Sequence, residues 1–291
     1  MLMNESAVLE SPTASQPADA PVTLIRARHR WFEVNLAELW EYRELLYFFI
    51  WRDLKIRYKQ TVIGVAWAVI QPLSTMIVFS IFFGRLAGLP SDGLPYPIFY
   101  YTALLPWTYF ANALAQASNV IVAHQQVITK VYFARVLLPV SAVLSGLADF
   151  AVASVILGGL MLAYGIVPTW KVLWLLPLLL LAILTAMAVS LWLSALNALY
   201  RDVRYAVPFL LQFWMFASPV AYPASLVPDQ WRWLYGLNPM AGVIEGFRWA
   251  LAGAGPAPGP MLAASAAVVL IVFVAGFFYF QRMERTVADV V

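Results

Sequence analysis

The densest group of chemistry-bearing residues is the run RDLKIRYKQTVIG at positions 52–64. Wound as a helix, it brings Arg52, Lys55 and Lys59 within about 60° of one another, forming a cationic stripe. Asp53 and Arg57 stand at i and i+4 in the favourable order, so the spacing predicts that they pair. Two chemistries suit the stripe. It can anchor the helix to anionic lipid, at about 1 kcal/mol per cation, or it can form a doorway that attracts an anionic, lipid-linked cargo. Charge alone favours anchoring.

A second candidate is Asp149, the one carboxylate deep inside a long apolar run. An ionised group at that depth costs several kcal/mol, so it must face protein or water or be protonated. With no basic residue at the same level of the sequence, we expect a neutral carboxyl bonded to a Ser, Thr, Asn or Gln on a facing helix. A proton- or ion-coupling role is the alternative. Gln71 and Pro72 interrupt another apolar run. Proline deletes a backbone hydrogen bond there and glutamine needs a partner, so a pore-lining helix bends at this point or two helices pack there. The aromatics Tyr100, Tyr101, Trp107, Tyr109 and Phe110 either fill a membrane core or offer flat faces to sugar rings.

Other chemistries are excluded. Cysteine is absent, and the two histidines, His29 and His124, lie far apart in polar surroundings. They read as solvated surface residues, and no metal site is expected. No G-x-x-x-x-G-K-[ST] occurs, so this chain does not itself cradle nucleotide phosphates. No cluster of acids or histidines suggests an enzyme, and no cofactor is expected in this chain.

The elements that must position these residues are membrane elements. The sequence is 63% hydrophobic and 11% charged, against about 25% charged in soluble domains. Residues 1–21 are rich in Ser, Pro, Ala and acidic residues and open a disordered tail reaching residue 30. Within 31–61 an amphipathic helix over 35–60 sets Glu38, Glu41 and Glu44 against Leu36, Leu39, Trp40, Leu46 and Phe49, as an interfacial helix does. Six spans follow, at 62–84, 98–121, 136–164, 172–197, 205–224 and 261–281, each near the ~20 residues that a bilayer demands. Short links at 165–171 and 198–204 make the third, fourth and fifth antiparallel neighbours. With eleven Lys and Arg near one side and four near the other, both termini belong in the cytoplasm, residues 282–291 forming a short tail. The stretch 225–260 is aromatic but broken. Asn238 and Pro239 predict a helix start, and Met240–Leu251 would run about 18 Å, too short to cross. It reads as a re-entrant or interfacial helical element on the outer face, with an amphipathic external loop as the alternative.

The pattern R-D-x-K-x-R-Y-K-Q-T before the first span, with Gly64, Trp67 and Pro72 after it, resembles the membrane subunits of ABC-2 type polysaccharide exporters. Tyr200, Arg201 and Asp202 extend the resemblance. So do Ser218, Pro219, Tyr222, Pro223, Pro228, Asn238, Pro239 and Arg248. It covers nearly everything from residue 35 to the last span. One departure stands out: where the family reads K-x-x-F-P, this chain has Lys130, Val131, Tyr132, Phe133 and Ala134.

The resemblance implies an all-α integral membrane protein of the ABC-2 exporter fold: six transmembrane helices after an interfacial helix, with re-entrant helices between helices five and six. It implies a homodimer in the bacterial inner membrane, two copies of a separate ATPase that bind ATP and Mg, and a polyprenyl-pyrophosphate-linked polysaccharide as cargo. Nucleic acid has no part in it. Arg52, Lys55 and Lys59 then become the entry for the pyrophosphate head, through charge-assisted contacts. The loop 122–135, with Lys130, Phe133 and Arg135, becomes the ATPase contact. Channel or gate candidates are Trp67, Pro72, Tyr100, Trp107, Asp149, Pro219, Tyr222, Asn238 and Arg248. The rival readings are a stand-alone ion- or proton-coupled flippase with Asp149 as coupling group, an ABC-2 subunit for another lipid or a drug, and a membrane glycosyl or phosphoglycosyl transferase.

Overall fold

A computed structural model describes residues 40–59, 64–131, 133–253, 257 and 259–290. The expected tail (1–30), the start of the interfacial helix with Leu36, Glu38 and Leu39, and His29, Gln60, Thr61 and Tyr132 lie outside the described residues. The described residues belong to one unit, Asn35–Val291.

Among them every regular element is helical. Helix α1 is Arg43–Lys59; α2, Gly64–Phe79, runs straight on into a π-helical turn, Ser80–Leu86. Helix α3 is Tyr96–Ala123, α4 a single turn at Gln125–Ile128, and α5 Leu137–Ala163. A 3-10 turn, Trp170–Trp174, leads into α6, Leu175–Leu199, and α7 is Val203–Ala217. Two shorter helices follow, α8 at Asp229–Tyr235 and α9 at Pro239–Ala252, then α10 at Gly259–Val290.

Among the described residues, four stretches are long and apolar enough to cross a bilayer: Ala66–Leu86, Leu137–Ala163, Trp170–Leu199 and Gly259–Met283. They coincide with the first, third, fourth and sixth expected spans. The other two differ for physical reasons. Helix α3 has the length, 28 residues, but 18 of them are buried within the chain. It is the hub against which α5, α6, α2 and α9 pack, so protein rather than lipid is its solvent, and Tyr, Thr, Asn and Gln are tolerated along it. Helix α7 has only 15 residues, about 22 Å at 1.5 Å per residue. The expected span 205–224 is cut at Ala217, where Ser218 turns extended. The link Ser218–Pro223 is held by buried groups rather than by helix.

Helix α9 follows from local sequence. Asn238 is its N-cap, its Oδ1 accepting from Met240 N at 3.1 Å, and Pro239 opens the first turn. Gly253, at φ 66°, closes it in the left-handed region that glycine favours. Gly242 and Gly246 stand one turn apart; a Cβ would lie 2.4 Å from Ser265 Oγ at the first and 2.4 Å from Leu178 Cδ2 at the second. The two missing side chains let α10 and α6 close on α9, the small-residue packing on which membrane helices rely.

Candidate functional site

Helix α1 packs along α5. Phe49, on the apolar side read from the sequence, is 3% exposed, Leu46 is half-buried, and Glu41 and Glu44 are exposed. The last turn of α1 carries Arg57 and Tyr58 inward to Asp149. Arg57 Nη1 pairs with Asp149 Oδ2 and Nη2 donates to Gln116 of α3, while the Tyr58 hydroxyl donates to Asp149 Oδ1. Burial, reinforced by the adjacent carboxylate, pushes the Tyr58 phenol up to about 12, so it is a proton donor throughout the physiological range.

Two expectations are corrected here. Arg57 does not pair with Asp53, whose carboxylate instead takes Arg52 Nη2 at 2.9 Å. Nor is Asp149 held by neutral side chains alone. The cationic end of α1 lies against the middle of α5, which brings Arg57 to Asp149, while Arg52, next to Asp53 in the chain, takes that carboxylate. Depth read along the chain could not place Arg57 beside Asp149.

Arg57, Tyr58, Gln116 and Asp149 stand on a cavity of about 300 Å³ between α2, α3 and α5. Its polar lining comes from Thr108, Asn112 and Gln116, at four-residue steps on one face of α3, and from Gln71 of α2. Trp67, 57% exposed, lies one turn before Gln71 and also lines the cavity, as does the buried Pro72, through which α2 stays helical. Tyr58 and the Thr108–Asn112–Gln116 row were given no role by the sequence reading. Polar residues recurring every fourth position inside a span were the available signal.

The cationic stripe is divided. Lys55 and Lys59 are exposed, the Lys55 ammonium resting 4.6 Å from the Trp51 ring centre. Arg52 is engaged: besides Asp53, its Nη2 lies 2.6 Å from His124 Nε2, and its guanidinium stacks 5.0 Å from the Phe49 ring. His124 Nδ1 lies 2.9 Å from the Val120 carbonyl. A carbonyl only accepts and a guanidinium only donates, so the tautomer with its proton on Nδ1 satisfies both contacts. His124 is thus a partly buried link between α1 and the end of α3, not the solvated residue expected.

In the loop after α3, Lys130 is exposed, but Phe133 is 4% exposed and packs on Phe49 at 5.5 Å between ring centres. Phe133 therefore presents no face to a partner protein, a correction to its expected contact role. Arg135 is half-buried.

Most of the remaining gate candidates are also enclosed. Tyr100 and Trp107 are 0% and 5% exposed, Pro219 is buried, and Arg248 is 2% exposed. None of them lines a wall that this chain presents, and the Tyr100–Phe110 cluster is core rather than a set of sugar platforms. Arg248 Nη1 meets Glu245 at 2.7 Å, Nη2 meets the Val220 carbonyl at 3.1 Å, and its guanidinium lies 3.7 Å over the Phe99 ring. Glu245 also accepts from Ala224 N at 3.1 Å. Asn238 accepts from Trp214 Nε1 at 2.8 Å and donates to Ser218 Oγ at 2.9 Å and to the Ala217 carbonyl at 3.0 Å. Half-buried Tyr222 donates to the Phe216 carbonyl at 3.1 Å and takes a bond from Tyr235 at 3.0 Å. Together they clamp the link after α7 in place. Among the described residues no group of three or more His, Cys, Asp or Glu could hold a metal.

Long apolar helices around a buried polar hub, with a charged helix clamped to their flank, make this an integral membrane protein. Residues 44–252 match the ABC-2 type transporter family, and the chain belongs to that family. It is 31% identical over 253 residues, 85% of its length and 96% of the relative's, to the O-antigen export system permease protein RfbA of Myxococcus xanthus. It is also similar to a protein of that name from Klebsiella pneumoniae, 27% identical over 198 residues, 68% of this chain and 76% of that one.

Proposed function

We propose that this chain is the channel-forming subunit of an ATP-driven exporter that moves lipid-linked polysaccharide of the O-antigen kind across the bacterial inner membrane. The observation that carries the reading is the docking of α1. Its end is pinned to α5 through Arg57 and Asp149, while Lys55 and Lys59 stay exposed beside it. A helix held that way presents positive charge at the membrane entrance, where a polyprenyl pyrophosphate head would be drawn in. Both relatives are O-antigen export permeases by name, which supports the cargo class.

In this reading the chain crosses six times, α3 and α7 included, with both termini inside and 225–260 re-entrant from outside. It pairs with a second copy, and a separate ATPase, two copies per exporter, binds ATP and Mg. Lys130 and the neighbouring Arg135 face that partner. Phe133 works one step back, passing movement of the loop to Phe49 and hence to the cargo-receiving helix.

Deleting the gene and measuring surface polysaccharide tests the cargo. Loss of surface polymer with lipid-linked polymer retained inside is expected; unchanged surface polymer overturns it. Orientation is tested with single introduced cysteines, since the chain has none. An impermeant thiol reagent added outside should label residues 92 and 229 but not 128 or 203, and labelling at 128 overturns the topology.

A further inference from the structure

The cavity between α2, α3 and α5 holds more hydrogen-bonding groups than the chain satisfies. Gln116 is engaged by Arg57, but Gln71, Thr108 and Asn112 make no side-chain hydrogen bond with any described residue. Gln71 is exposed and Thr108 and Asn112 are half-buried, so all three can offer their donors and acceptors to a molecule entering the cavity. Thr108 and Gln116 stand eight steps apart with Asn112 midway, a row about 12 Å long on one helix face. Trp67, one turn from Gln71, lays a large exposed aromatic surface beside it.

Charge narrows the ligand. The two ionic groups of the lining are Arg57 and Asp149, and they neutralise each other. A phosphate or pyrophosphate would add net negative charge to this neutral lining and would compete with Asp149 for Arg57. A neutral molecule rich in hydroxyls fits: each hydroxyl both donates and accepts, as amide side chains do, and its carbon faces can lie on an indole. The volume, about 300 Å³, is at the low end for small-ligand pockets, enough for a ring or a short oligomer end and not for a folded chain.

We propose that this cavity is a carbohydrate subsite. It takes a sugar unit of the cargo through Gln71, Thr108 and Asn112, with Trp67 against the ring, while the Arg57–Asp149 pair closes its charged end. The assignment rests on the polysaccharide-export reading above. It separates two tasks within the entrance: Lys55 and Lys59 attract the anionic head, and the neutral row receives the sugar next to it.

The test uses the full exporter with its ATPase, carrying Ala68→Cys as the single thiol at the cavity wall, in lipid nanodiscs. Labelling by a small methanethiosulfonate reagent is timed with three probes: lipid-free oligosaccharide cut from the host's own surface polymer, inorganic pyrophosphate, and undecaprenyl phosphate. The oligosaccharide should slow labelling several-fold, the other two should not, and Asn112→Leu with Gln71→Leu should remove the protection while the complex still assembles. A thiol at exposed Ser74, outside the cavity lining, should show no protection. Protection by either phosphate probe but not by the sugar overturns the proposal, and so does equal labelling with all three. If the gene-deletion strain keeps its surface polymer, the export reading fails whatever the labelling shows.

Discussion

Two arginines, Arg57 and Arg248, are each paired with a carboxylate, and their surroundings give them opposite characters. Arg248 is 2% exposed, and its partner Glu245 is one turn back on the same helix. Carbonyls of two other segments and the Phe99 ring complete its surroundings. Arg57 and Asp149 keep 21% and 22% of their side-chain surface, come from different helices, and border a cavity. The first pair is part of a folded core. The second is a tether between two bodies and stands where solvent or ligand can reach it. Pairing alone does not reveal the role of an intramembrane charge; the number of elements it joins and the space beside it do.

That contrast can be broken at several points. The largest effect is expected at Arg248. Arg248→Ala strands Glu245 and removes the support of the Val220 carbonyl, costing about 3–5 kcal/mol. The detergent-solubilised protein should lose most of its monodisperse fraction in size-exclusion chromatography. Arg248→Lys should rescue little, because an ammonium cannot reach three partners in a fork. A folded Arg248→Ala protein would place this arginine with the tethers.

At the next level, Phe133→Ala should destabilise by up to about 3 kcal/mol, since the ring is buried but sits in a loop able to collapse. Phe49→Ala combined with it should be less than additive, by about 0.5–1.5 kcal/mol for the lost ring pair. Thermal unfolding of the two single variants and the double variant checks this. Strict additivity would mean that the loop and α1 are not mechanically joined.

Smaller in stability but larger in function is the tether itself. Asp149→Asn should lower stability by on the order of 1 kcal/mol and leave the fold intact. Export, read as surface polymer at matched protein levels, should fall clearly, because α1 loses its register on α5. Arg57→Gln added to it should do little more, and full additivity of the two would sink the pairing. Smallest of all, Lys55→Ala or Lys59→Ala should change stability by less than about 0.5 kcal/mol, with any export loss reporting on the cargo alone.

Local signals were legible in the sequence. Asn238 followed by Pro239 announced the start of α9, and the long apolar runs announced four spans. The cationic turns of α1 were visible as a stripe. What escaped were contacts between residues far apart in the chain. Arg57 and Asp149 are 92 positions apart, and hydropathy assigned them to different depths because it treats each helix as if alone in lipid. Helix α3 was read as one span among six when it is the hub of the packing. Phe133 was expected to touch the ATPase because the sequence could not show that it packs on Phe49. The amide row of α3 was readable as a period of four, but its meaning required α2 and α5 to enclose it.

The π-helical turn at Ser80–Leu86 has a consequence for the whole of α2. Each of its hydrogen bonds reaches back five residues rather than four, so the turn stores chain that an α-helix would have to display as rotation. Below it, Trp67 and Gln71 must face the cavity. Towards its far end, Gly84 must face Tyr96, where a Cβ would sit 2.7 Å from the ring. The wide turn works as a slip joint between those two demands, so insertions or deletions of one residue should be tolerated between 80 and 83 and nowhere else along this helix.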